Sequence, residues 1–298
     1  MRNRMGRVLF AIVGMAGLLP AGCASTRSAA RRHDPPLSEE RAAALRAETR
    51  LLEEQSGCRD SLLAAIESLR MLTASPSPAD RYRAHVGLAH LQLLFGDGYV
   101  TGTRRKSAWF REALYNAEAA LSTHPEFRAR VESGDRVWEA SEALGASEMD
   151  ALFFWVTAVL YRFKEGQNPL GQVINFRWVQ RAHRVLEQMT AIDPDWGNGA
   201  LHFTWGLYYL SLPERVGGDR ERSAACFERA NEVGPNVLMH RWGRAKYFHV
   251  RMNNPRGFTD DLEWVLTRDP ADSPEHPAWR AFFRQDARRL LENRASLF

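Results

Sequence analysis

From Leu37 onward, apolar residues recur at three- and four-residue spacings, and no stretch alternates apolar with polar positions ahead of a hairpin turn. The pattern predicts an all-α chain. Leu62, Leu63, Ile66, Leu69 and Leu72 mark one helical stripe, and Val86, Leu88, Ala89, Leu91, Leu93 and Leu94 thicken the next. Turn-forming clusters separate such stripes at Ser75-Pro76-Ser77-Pro78, Gly96-Asp97-Gly98, Gly166 to Pro169, Gly217-Gly218-Asp219, Asn253-Asn254-Pro255 and Ser273-Pro274. Two stretches are apolar almost all round: Ala151 to Tyr161, and Ala200 to Leu212, where only His202, Thr204 and Ser211 are polar. A helix of that kind needs cover, either from the protein's own helices or from an apolar ligand.

The stripes also repeat. Ala113, Ala117, Ala120 and Pro125 are spaced as in the second helix of a tetratricopeptide repeat and the proline that ends it. The same register fits Ala182, Leu186, Met189 and Pro194, then Ser223, Phe227, Ala230 and Pro235, then Phe258, Leu262, Val265 and Pro270. Gly87, Ala158, Gly206 and Ala245 supply the small residue of each partnering first helix. The expected architecture is a tetratricopeptide-like α-solenoid of stacked antiparallel helix pairs, with residues 37–298 as a single helical-repeat domain.

The start of the chain has a different logic. Arg2, Arg4 and Arg7 precede an apolar run from Val8 to Leu19, too short to span a bilayer, and then Pro20-Ala21-Gly22-Cys23. Small residues directly before a cysteine resemble the bacterial lipobox, although Pro20 stands where leucine is usual. Residues 1–22 are thus expected to be a signal peptide, Cys23 the lipidated first residue, and 23–36 a basic flexible tether. Ala24 and Ser25 carry no acidic retention signal, which favours the outer membrane, facing the periplasm. Cys58 and Cys226 are left either to pair in that oxidising compartment or to stand as separate buried thiols.

Composition narrows the function. Forty Lys and Arg oppose 36 Asp and Glu, and three of the cations sit in the first seven residues, so no basic cluster suits nucleic acid. Only Lys106, Lys164 and Lys246 are lysines, which reads as compositional bias. His85 and His90 are five apart and face different sides of a helix, Gly-x-Ser-x-Gly is absent, and adjacent carboxylates such as Asp260-Asp261 point apart. No catalytic constellation, metal site or cofactor is expected.

Gly199-Ala200-Leu201-His202, Trp205-Gly206-Leu207-Tyr208-Tyr209, Leu212-Pro213-Glu214-Arg215-Val216-Gly217-Gly218-Asp219 and Phe227-Glu228-Arg229-Ala230 resemble the TatT component of TRAP transporters, as do Asp269-Pro270, the helix around Ala287 to Glu292 and the terminal Leu297-Phe298. The resemblance implies a periplasm-facing lipoprotein that partners a TRAP solute-binding protein, with a homotrimer and a hydrophobic small-molecule ligand both admitted. The competing reading is a tetratricopeptide scaffold lipoprotein for envelope or outer-membrane assembly. In the turn, Pro213 stops one helix, Gly217 and Gly218 give backbone freedom, and Asp219 caps the next. Repeat register places Trp155, Phe203, Leu207 and Leu210 on the concave face as candidates for an apolar groove. Arg162, Lys164 and Lys246, just past apolar stretches, are candidates for an anionic head group.

Overall fold

Many of the helices start where a polar side chain or a proline can absorb unpaired N–H groups. Pro78, Pro125, Pro255 and Pro277 occupy first turns, preceded by Ser77, His124, Asn254 and His276, whose side chains accept from backbone N–H groups. Pro125 therefore opens a helix rather than closing one, because its missing N–H costs nothing there. Pro194 and Pro235 lie in the turns between helices.

The structure, a computed structural model, describes residues 36–168, 171–172 and 175–298. The expected signal peptide, Cys23 and nearly all of the tether lie outside them. Among the described residues there are thirteen α-helices and no strand. They are α1 (Glu39–Glu54), α2 (Arg59–Leu72), α3 (Pro78–Gly98), α4 (Thr103–Leu121), α5 (Pro125–Glu132), α6 (Val137–Ala140) and α7 (Met149–Lys164). Then follow α8 (Arg177–Ile192), α9 (Trp196–Ser211), α10 (Arg220–Val233), α11 (Leu238–Gly243), α12 (Pro255–Thr267) and α13 (Pro277–Glu292). A π-helical turn, Arg244–His249, extends α11.

The antiparallel pairs α3/α4, α7/α8, α9/α10 and α11/α12 carry the repeat. All twelve second-helix positions read from the sequence, from Ala113 to Val265, are buried. Gly206 brings α9 against α10 so closely that a Cβ would sit 3.2 Å from the Phe227 ring. One core runs through α3, α4, α7 and α8, and a small one joins α9 to α10. Another combines Leu45, Leu62 and Leu88 with Leu238, Phe258 and Phe283. It joins the two ends of the domain, because α13 packs against α1 and α3. The array therefore closes on itself. Both apolar stretches are covered by protein: α7 lies between α4, α3 and α8, and α9 lies on α10.

The turn from Pro213 to Asp219 is fixed by its backbone. Gly217 takes φ 100°, Gly218 N–H donates to the Pro213 carbonyl at 3.0 Å, and Asp219 Oδ1 accepts from the N–H groups of Glu221 and Arg222. A Cβ at Gly218 would lie 2.0 Å from the Leu212 carbonyl oxygen. Gly218→Ala is accordingly expected to cost about 2 kcal/mol by forcing main chain apart. A thermal melt showing wild-type Tm would contradict this.

Candidate functional site

Three helices repeat the same spacing toward a common centre. His90 and Asp97 on α3, Phe154 and Tyr161 on α7, and Trp279 and Asp286 on α13 are each seven residues apart, two helical turns or about 10 Å along one face. The first members of the pairs meet in an aromatic group. His90 stacks on Phe154 at 4.6 Å and on Trp279 at 5.9 Å, with His276 edge-on at 5.5 Å. Burial pushes His90 down to about 3 and His276 to about 4, so both are neutral at physiological pH. His276 Nδ1 accepts from Ala278 N–H, which leaves the proton on Nε2. That Nε2 and Trp279 Nε1 are buried without a hydrogen-bond partner among the described residues.

The second members form a charged group, and there the three lysines converge. Lys106 Nζ lies 3.3 Å from Asp97 and 3.8 Å from Glu165. Lys164 Nζ approaches Glu165 only to 3.6 Å and sits 3.9 Å above the Tyr247 ring. Lys246 donates to Asp286 at 3.1 Å and lies 4.6 Å from the Trp242 ring. Asp286 also accepts from Trp242 Nε1 at 3.0 Å and from Arg289. Burial works to raise the Asp286 pKa, and Lys246 and Arg289 overcome it, so the carboxylate is held below its usual range. Desolvation lowers Lys164, and burial with the neighbouring carboxylates pushes Tyr161 and Tyr247 well above the ordinary phenol range. Both tyrosines therefore keep their protons. Asp97 Oδ2 is buried without a hydrogen-bond partner among the described residues.

The side chains proposed from repeat register divide among separate places. Trp155 is in the core and donates its indole N–H to Glu118 at 3.2 Å. Phe203 packs on Phe227 and His240 with Leu210 buried beside it and Leu207 against them. These four do not line one groove: positions concave in an open repeat are covered when helices close over them. Arg162 lies 4.6 Å from the Trp178 ring. Of the seven, Lys164 and Lys246 belong to the charged group. Asp97, Lys106, Tyr161, Glu165, Tyr247 and Asp286 were not singled out by sequence. The signal available was the rarity of lysine, read there as compositional bias.

Cys58 and Cys226 are both unpaired, so the disulfide alternative is overturned, and Cys58 is exposed rather than buried. Pro213, Gly217, Gly218 and Asp219 form a structural turn. No group of three or more His, Cys, Asp or Glu among the described residues could hold a metal ion. No helix among the described residues is long and apolar enough to cross a membrane.

A closed all-helical repeat with a charged inner cluster is the class of protein that this geometry defines. Residues 99–298 match the model of the family described as TRAP transporter T-component, and the chain belongs to that family. The chain is also similar to an uncharacterized protein of Treponema pallidum (strain Nichols), with 24% identity over 177 residues, 58% of this chain and 54% of the relative. It thus spans about half the length of that relative.

Proposed function

We propose that the protein is a lipid-anchored, periplasm-facing accessory component that docks a TRAP solute-binding protein and handles an organic ligand whose negative group meets Lys164 and Lys246. Family membership supports the transport role. The observation that carries the ligand reading is the convergence of all three lysines on one inner cluster. There Lys106, Lys164, Lys246 and Arg289 outnumber Asp97, Glu165 and Asp286 by one, and Lys164 has the weakest pairing. One anionic group would balance the set, while the neutral Tyr161 and Tyr247 hydroxyls offer donors. The role is binding rather than catalysis. A homotrimer and outer-membrane attachment through Cys23 complete the reading.

Crosslinking from membranes with the lipidated full chain as bait tests it. Recovery of a TRAP solute-binding protein is the expected result. Recovery of envelope-assembly proteins alone would replace the transport role with that of a scaffold. For the ligand, the protein contains so few lysines that reductive methylation with 13C gives a resolvable signal for each. Titration with straight-chain monocarboxylates from butyrate to dodecanoate is expected to shift Lys164 and Lys246 more than the matching amides do. Equal response to acid and amide, or none to either, would remove the anion site.

A further inference from the structure

The turn from Pro213 to Asp219 has no part in the inner cluster, yet it stands between two surface concavities. One lies along the outer face of α8, where Arg177, Arg181 and Arg184 follow at positions i, i+4 and i+7, with Trp138, Tyr208 and Val216 at its walls. The other lies on the opposite side of the turn and is lined by Arg215, Arg220 and Arg251 beside Tyr209. Val216, 47% exposed, stands at the crest. The crest is rigid, since its backbone is bonded at Pro213, Val216, Gly218 and Asp219, and Asp219 N–H donates to the Tyr209 carbonyl at 3.1 Å.

We propose that this crest and its two arginine-lined flanks are the docking surface for an acidic face of the solute-binding protein. The inference rests on the functional reading above and adds where the partner sits and what chemistry it presents. Charge is the first argument. Six of the forty Lys and Arg, and one of the 36 carboxylates, precede residue 36, so the folded part of the chain has one carboxylate more than it has cations. Against that background, six arginines face three carboxylates across the two concavities: Glu187, Glu214 and Asp219. Two of the three are already engaged, Glu187 with His183 at 3.4 Å and Asp219 in capping α10. The two concavities therefore hold more cations than carboxylates, whereas the folded part of the chain as a whole holds fewer.

Residue type is the second argument. Every cation here is an arginine, whose planar fork accepts a carboxylate through two parallel hydrogen bonds, and Arg181 is held flat 4.1 Å from the Trp138 ring. Arginine beside half-buried tryptophan and tyrosine is the composition of protein-binding hot spots. Composition favours a protein over an anionic membrane, because the cations are arginines set beside aromatic rings, with no lysine among them.

The test uses the purified, lipidated full chain and the solute-binding protein recovered by crosslinking, with affinity measured by calorimetry at low and moderate salt. Replacing Arg177, Arg181 and Arg184 together by glutamine is expected to weaken binding about 30- to 100-fold and to flatten its salt dependence. Val216→Asp, on an exposed crest where folding is indifferent, is expected to weaken it about 10-fold or more. Arg256→Gln, at a side chain 93% exposed on α12, should leave affinity unchanged. Wild-type affinity in both the triple variant and Val216→Asp overturns the proposal while leaving the transport role intact. If the variants instead lose binding to phosphatidylglycerol vesicles and keep the solute-binding protein, the surface is a membrane contact and the proposal fails. Failure of the wild-type protein to recover any solute-binding protein overturns the functional reading first, and this docking surface with it.

Discussion

Asp286→Ala is expected to destabilise the protein by about 3–5 kcal/mol, because it strips the partner from a buried charge rather than removing a neutral contact. The side chain of Asp286 is 3% exposed and collects the indole N–H of Trp242, the ammonium of Lys246 and the guanidinium of Arg289. Its removal leaves Lys246 half-covered with no carboxylate in reach and Trp242 with a buried donor unsatisfied. The loss falls at the point where α13 meets α11, so it loosens the closure of the array as well. Urea unfolding gives the number. Asp286→Asn is expected to recover part of the loss, since the amide oxygen can still accept from Trp242. Pairing Asp286→Leu with Lys246→Met should recover more, because the one charge then left without its carboxylate is Arg289, whose side chain is 66% exposed to solvent. A loss below about 1 kcal/mol for Asp286→Ala would mean that the carboxylate is not structurally engaged.

The contrast between what the chain spells locally and what it hides follows from sequence distance. Ala113, Leu186, Phe227 and Leu262 were legible as core because each repeats the register of one helix pair, and each is buried. Asp219 was legible as a cap because its partners are two and three residues away. Closure was not, since Leu45 and Phe283 share a core with no periodic mark to connect them. That closure is why Trp155, Phe203 and Leu210 became interior residues instead of a groove. The lysines were hidden twice over. They lie far apart in sequence, and the π-helical turn at Arg244–His249 re-aims Lys246 and Tyr247 in a way that a straight 3.6-residue period does not anticipate. Family resemblance carried the transport role, and the resemblance itself rested most on the Pro213 to Asp219 turn, which the inner cluster does not use.

Acidification is expected to remove stability well before the carboxylates protonate. Burial holds His90 at about 3, and His240 and His276 at about 4, whereas the same imidazoles in the unfolded chain titrate near 6.5. Between those values the unfolded chain binds three protons that the folded protein refuses. Folding therefore loses stability as pH falls from about 6.5 toward 4, at up to about 1.4 kcal/mol per pH unit for each histidine. Unfolding free energies by urea at pH 7 and pH 5 are expected to differ on the order of 5 kcal/mol, a large share of what a domain possesses. Asp261 and Asp286 act in the opposite window. Their folded pKa values are depressed by Arg244 and His249, and by Lys246 and Arg289, against the opposing effect of burial, so their contribution persists down to about the ordinary carboxylate pKa and is lost only below it. His240 isolates the first effect: it is fully buried, stacks 5.8 Å from Phe203, and neither ring nitrogen has a hydrogen-bond partner among the described residues. His240→Phe keeps the stacking and should remove about a third of the slope between pH 6.5 and 5. A stability profile flat from pH 7 to pH 5 in the wild-type protein would show that these imidazoles are free to protonate in place.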